Sequence, residues 1–280
     1  MTTVSRIPVT GGELTVGQWS APGSANPDAT PLLAIHGITA NHLAWGLVAP
    51  LLGRPVVAPD LRGRGGSGTL PGPYGMAAHA ADCVSLMDAL GIARAIVVGH
   101  SMGGFVASVL AHRYPDRVAR LVLVDGGAPL SMPDGVDIET ALGPAVARLS
   151  MRFASHAEYH DFWRRHPSFT RWNPAIEAYV DHDLTGTAPE LRSSVNEDAV
   201  RADFVELHKG AEPRAAYEAL PRETVFLRAE RGMFDEPRAL YPDPAAIGLT
   251  VTTVPGTNHY TILLGEDGAR AVAAALENPA

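Results

Sequence analysis

Short apolar runs alternate along this chain with stretches where apolar residues recur every three or four positions, the rhythm of strands interleaved with helices. At the amino end, Ser5 to Val9 and Glu13 to Trp19 meet at Gly11-Gly12, which predicts a hairpin. Leu32 to Ile35, Pro55 to Ala58, Ala95 to Val98 and Leu121 to Val124 are apolar on successive positions, as expected of parallel strands buried on both faces. Between them, His42 to Leu52, Met76 to Leu90 and Met102 to Tyr114 carry helical spacing. After Gly127 the alternation stops. Roughly 95 residues, to about Leu220, read as helical with no convincing strand and carry aromatic residues at Phe153, Tyr159, Phe162, Trp163, Phe169, Trp172 and Tyr179. Strands resume at Thr224 to Ala229 and Leu249 to Val254, and a helix from about Asp267 to Leu276 closes the chain. The expectation is a mostly parallel sheet of eight strands with helices on both faces and a helical lid inserted after the sixth strand. We divide it as a first part of the core over 1–125, a lid over 126–220 and a second part of the core over 221–280.

Composition narrows the function classes. At 46% hydrophobic residues the 280-residue chain can bury a large core, and disorder is not expected. A formal net charge of -8 offers nucleic acid and anionic membranes no electrostatic reason to bind. The first residues show no basic region leading into an apolar stretch, and no apolar run is long enough to span a bilayer. Cys83 is the only cysteine, which excludes an internal disulfide and a thiolate metal cluster. We therefore expect a cytoplasmic enzyme without metal or nucleotide cofactor and leave its oligomeric state open.

The chemistry concentrates at three strand ends. Gly99-His-Ser-Met-Gly103 follows an apolar strand and opens an apolar-periodic helix, the context in which G-x-S-x-G lifts a nucleophilic serine from a tight turn. Glycines two positions to either side let strand and helix approach, and the helix N-terminus favours developing negative charge at Ser101. The plainer alternative, a glycine-rich turn with a serine cap, does not need that flanking pattern. His259 lies on the loop after the last strand, where a base for Ser101 is needed. The backbone N–H groups of Met102 and Ile38 are the candidate oxyanion hole. His36 and His100 lie in tight turns, where structural hydrogen bonding is their expected use.

These residues resemble the α/β-hydrolase superfamily, particularly its lidded esterase-like members. The likeness runs through His36-Gly37, the D-x-R-G-x-G-x-S-like loop from Asp60 to Ser67, the elbow from Gly99 to Gly104, the insertion, and Gly256-Thr-Asn-His259. It implies a serine, histidine and acid working together beneath a lid. Many relatives place the acid in a G-x-x-D segment after the seventh strand, but here that position is Gly232. The superfamily's other acid site, at the end of the sixth strand, corresponds to Asp125, which we rank first. Glu230 is the alternative, and Asp235 is also near.

The resulting expectation is hydrolysis of an apolar carboxylic ester or lactone through an acyl-enzyme, with Trp163 and Trp172 contacting substrate. Hydrolysis of a carbon–carbon bond beside a ketone would use the same residues. A ligand receptor of this fold, with slow turnover, is the alternative from outside enzymology.

Overall fold

The computed structural model describes residues 2–20, 29–130 and 138–277. The hairpin forms from β1 (Thr2–Val9) and β2 (Gly12–Trp19), turning at Gly11 and Gly12, both at positive φ. The apolar runs become β3 (Leu32–Ile35), β4 (Val56–Pro59), β5 (Ala95–His100), β6 (Val118–Val124), β9 (Val225–Ala229) and β10 (Thr250–Val254). They form one eight-stranded sheet in the order β1-β2-β4-β3-β5-β6-β9-β10, antiparallel at β1-β2 and β2-β4 and parallel elsewhere.

Successive strand residues point to opposite faces, and both faces are dry. Leu33, Ile35, Val97 and Leu123 pack under α1 (Met76–Ala89) and α2 (Met102–Arg113). Leu32, Ala34, Val98 and Val124 face the other way, toward α9 (Glu266–Glu277) and the aromatic residues of the segment between β6 and β9. The central strands therefore have no polar side to display, which is why their sequences do not alternate.

That segment contains α3 (Ile138–Leu149), α4 (His156–Arg164), α5 (Pro174–Asp183), α6 (Glu197–Lys209) and α7 (Ala211–Glu218). It also holds a two-residue ladder of β7 (Leu184–Thr185) and β8 (Arg192–Ser193), too short to leave an apolar run in the sequence. Its helices do not act as one layer. α7 packs on α2 and contributes Ala216 to the core beneath the sheet, whereas α3 to α6 face the carboxyl ends of the strands.

One sequence expectation is corrected. The helix over His42 to Leu52 is instead two 3-10 turns, His42–Trp45 and Ala49–Leu51. The Asn41 side chain caps the first turn by accepting from Leu43 N–H, and the Asp60 carboxylate, from the loop after β4, holds His42 N–H, so the segment is fastened at its start to side chains outside the turn. Pro50 then removes a further donor.

Candidate active site

Ser101 caps α2 with φ +55° and ψ -126°, a conformation costly for any residue with a side chain. The glycines around it make the turn possible. A Cβ on Gly99 would lie 2.1 Å from the Gly103 carbonyl oxygen, and one on Gly103 would lie 2.2 Å from that of Ile35. The turn is tied to the next strand by Ser101 N–H donating to Val124 O at 3.1 Å.

Asp125 continues that strand and is also at positive φ, +43°. It is fully buried. Oδ1 accepts from Ala229 N–H at 3.0 Å, and Oδ2 lies 2.7 Å from His259 Nδ1. Gly126 follows because a Cβ there would come within 2.3 Å of Ser101 Cα. The structure thus brings Asp125 and His259 together, and His259 lines the same cavity as Ser101.

The other acids are engaged elsewhere. Glu230 is exposed and accepts from Gly256 N–H at 2.7 Å. Asp235 pairs with Arg231 at 2.8 Å and accepts from Asn258 Nδ2 at 3.1 Å. Asn258 also reaches Ser168 O and caps the turn after His259 through Tyr260 and Thr261 N–H. Asp235 and Asn258 thereby fix the histidine loop without contacting the imidazole. A side chain at Gly232 would strike Glu236 and Arg238, so this loop has no room for an acid there.

His36 Nε2 accepts from Leu61 N–H at 2.9 Å, which requires a proton on Nδ1, facing Gly37 O at 2.7 Å. Burial pushes its pKa down to about 3, against a raising influence from Asp60, so the ring stays neutral. It pins the Gly37-Ile38 loop beside Ser101: a Cβ on Gly37 would sit 3.0 Å from Ser101 Cβ. The buried guanidinium of Arg64 donates to Ile38 O at 2.9 Å and pairs with Asp203 of α6 at 2.6 Å. Ile38 lines the cavity, and Met102 N–H lies in the first turn of α2, where no helical acceptor exists.

The cavity holds about 390 Å³, within the range of small-molecule sites. Trp163 lines it and is 5% exposed; Trp172 is not among its lining residues. The Trp172 indole N–H donates to Glu177 at 3.0 Å and Arg164 lies over its ring at 5.0 Å, so this side chain is spent on packing between α4 and α5.

Arg148 of α3 was not singled out from the sequence, yet it lines the cavity. Its guanidinium lies 5.2 Å from the Trp163 ring centroid, and its buried Nη1 faces Asp183 Oδ2 at 3.5 Å in an ion pair that is not a hydrogen bond, with no hydrogen-bond partner among the described residues. Asp183 meanwhile accepts from Tyr159, Ser193 and Ser194 hydroxyls, so it is satisfied without close approach of Arg148. A buried cation with an open donor is a strong anchor for a carboxylate.

Residues 30–264 match the family model for the alpha/beta hydrolase fold. The chain belongs to this family. It is 32% identical over 205 residues to the 2-hydroxymuconate semialdehyde hydrolase of Pseudomonas sp. strain CF600, covering 70% of this chain and 68% of that one. A lipase of Mycobacterium tuberculosis is 41% identical over 125 residues, 42% of this chain and 48% of the lipase. Other mycobacterial relatives are spanned over only 29% of their length. Among solved structures, E-2-(acetamidomethylene)succinate hydrolase superposes with a TM-score of 0.80 at 23% identity, covering 99% and 100% of the two chains, which shows the shared fold. The protein is a hydrolase-fold member, and no helix among its described residues is long and apolar enough to cross a membrane.

Proposed function

We propose that this hydrolase cleaves a carboxylic ester or lactone through an acyl-enzyme, with Ser101 as nucleophile, His259 as general base and Asp125 as the acid. The observation that carries the reading is the 2.7 Å contact between His259 Nδ1 and Asp125 Oδ2 beside a serine on a strained strand-to-helix turn. An ionised Asp125 only accepts, so it selects the tautomer with the proton on Nδ1 and leaves Nε2 free to take the serine proton. The Ile38 and Met102 N–H groups would hold the oxyanion, and the proton returned from Nε2 would release the leaving group. Water attacks the acyl-enzyme by the same route. α3 to α6 serve as the lid, and Trp163 contacts substrate. The single buried thiol of Cys83 accords with a cytoplasmic setting.

Arg148 refines the substrate. In an otherwise largely apolar cavity its open donor favours a substrate bearing a carboxylate away from the scissile bond. The same feature supports a second reading, hydrolysis of a carbon–carbon bond beside a ketone in an acid-bearing chain, the bond class suggested by the semialdehyde hydrolase relative.

A fluorophosphonate probe should label Ser101, and a panel of aryl esters, lactones and vinylogous diketones, each with and without a remote carboxylate, should show turnover for the acid-bearing esters first. Preferred turnover of the diketones would select the second reading. Absence of labelling and of any turnover would remove the serine-hydrolase assignment and leave a binding protein.

A further inference from the structure

Two groups of histidines with an aspartate lie outside the Ser101 site, among the described residues, and each brings three ligand atoms within 4.8 Å of one another. One is His42, Asp60 and His182. There the buried Asp60 carboxylate already accepts from His42 N–H at 2.7 Å and Gly66 N–H at 2.8 Å as well as from both imidazoles, at 2.8 and 2.6 Å. An ion would have to strip donors from a satisfied carboxylate. That group is a hydrogen-bonded tether.

The second is built differently. His156 and His160 stand four residues apart on α4, so both imidazoles project from one face. Asp181 of α5 meets them, with Oδ1 3.1 Å from His156 Nδ1 and 2.7 Å from His160 Nε2. No backbone N–H among the described contacts competes for this carboxylate. His156 is 61% exposed and His160 13%, so the group opens to solvent on one side and is held by packing on the other.

From this geometry we propose that His156, His160 and Asp181 form a binding site for a divalent transition-metal ion of the zinc class. Two imidazoles and one carboxylate suit zinc, cobalt, nickel or copper and not magnesium or calcium, which take oxygen donors. Tetrahedral bonds of about 2.0–2.2 Å set neighbouring donor atoms about 3.4 Å apart, so the imidazoles and the carboxylate, now at 2.7 and 3.1 Å, part by several tenths of an ångström to admit the ion, which the open side at His156 allows and where water completes the coordination. Neither thiolate nor buried charge is required. The ion would bridge α4 to α5. Phe162 and Trp163 of α4 and Tyr179 of α5 line the cavity, so binding there braces the cavity wall at a distance from Ser101. The site stands independently of the reaction assigned to Ser101.

The test is calorimetric titration of chelator-treated, full-length protein with Zn²⁺, repeated with Co²⁺ to read its visible absorption. We expect binding of an ion that is unchanged in His182→Gln and in the exposed control His112→Ala, and weakened at least tenfold in His156→Ala and in His160→Ala. Asp181→Asn should weaken it less. Circular dichroism and aryl-ester turnover without metal should match the parent in all these α4 and α5 variants, which separates ligand loss from misfolding. Because the His160 ring lies 6.0 Å from Trp172, Cu²⁺ should quench a component of tryptophan fluorescence that Trp172→Phe removes. Binding that survives His156→Ala combined with His160→Ala but disappears in His182→Gln would move the ion to the buried group and overturn the proposal. So would titration heats for the parent no larger than those of the double variant.

Discussion

The floor and the wall of the cavity are built by different rules. The floor comes from loops at the carboxyl ends of β5, β6 and β10, where the backbone itself is committed: Ser101 and Asp125 are held at positive φ, and both oxygens of Asp125 are used. The wall comes from α3 to α6, whose side chains hold one another through ring contacts, hydrogen bonds such as Tyr159 to Asp183, and ion pairs that include the long one from Arg148 to Asp183. Strain of about 1–3 kcal/mol per residue is sustainable where a parallel sheet and close glycine contacts over-determine the chain. A wall of interlocking side chains has no such constraint, so its residues can be exchanged to change selectivity without disturbing a strand.

The largest expected effect lies on the floor. Ser101→Ala and His259→Ala should each lower kcat by roughly 10³-fold or more, and the double variant should lose little beyond either, because the residues act as a unit. Asp125→Asn keeps the shape but donates where it must accept, selecting the wrong tautomer, at a cost of about 10⁴-fold in a comparable triad. Glu230→Gln should retain activity within roughly tenfold, about 1.4 kcal/mol. Steady-state kinetics on one activated ester checks all five variants, and additive losses for Ser101 and His259 would mean that they do not work together.

Floor and wall should also part company with pH. Burial holds the neutral His36 at a pKa of about 3 in the folded protein, whereas the unfolded chain takes up that proton near 6.5. The contribution of His36 is therefore complete above about 6.5 and lost progressively as pH falls toward 3, on the order of a few kcal/mol. His182 behaves oppositely. Burial pushes its imidazolium down, but the hydrogen bond to Asp60 and that residue's charge outweigh it and raise the pKa. The tether of α5 to the Asp60 loop is complete below about 6.5 and weakens as pH rises through the elevated value. Urea titrations across pH should show a steep acid limb, with a shallower alkaline decline that His182→Gln abolishes. An unchanged alkaline limb in that variant would show that the tether contributes nothing.

A smaller effect is expected of Arg148, and it falls on binding. An anion pairing with its open Nη1 gains a charge-assisted hydrogen bond of about 1.5–3 kcal/mol, so Arg148→Gln should raise KM about 10- to 100-fold for a carboxylate-bearing ester. The matched neutral ester should change little, and Arg148→Lys should recover part of the loss. Equal effects on both substrates would make Arg148 a packing residue.

Legibility in the sequence follows the same division. The strands and the elbow at Ser101 could be read because each depends on neighbours within a few positions, as when glycines at 99 and 103 clear the strand-to-helix turn. Asp125 was reachable because a parallel sheet places consecutive strand ends side by side. The misread helix over His42 to Leu52 turned on Asp60, a partner 18 residues away from His42. Arg148 was hidden altogether. Its neighbours Ala145, Val146 and Leu149 describe an ordinary amphipathic helix, and its meaning comes from Trp163 and Asp183, which only folding brings near.

Trp163 and Trp172 give the finest cut through the wall, since the sequence assigns them one role and the structure separates them. Trp163 is buried against the cavity, beneath the Arg148 guanidinium, and its indole N–H has no hydrogen-bond partner among the described residues. Removing the ring in Trp163→Ala enlarges the substrate's space and frees Arg148, so KM and the preference among acyl groups should shift severalfold while kcat for a small acetyl ester stays within about tenfold. Trp172 is half-buried, bonded to Glu177 and stacked under Arg164 on the far side of the same helices. Its loss costs packing and one hydrogen bond, about 1–3 kcal/mol of stability, without altering the surface a substrate meets. Trp172→Ala should therefore lower the melting temperature by several degrees and leave KM within twofold for every ester tested. If it shifts selectivity as far as Trp163→Ala does, the two faces of α4 and α5 are mechanically coupled, and the wall is one unit in which outer packing sets the inner surface.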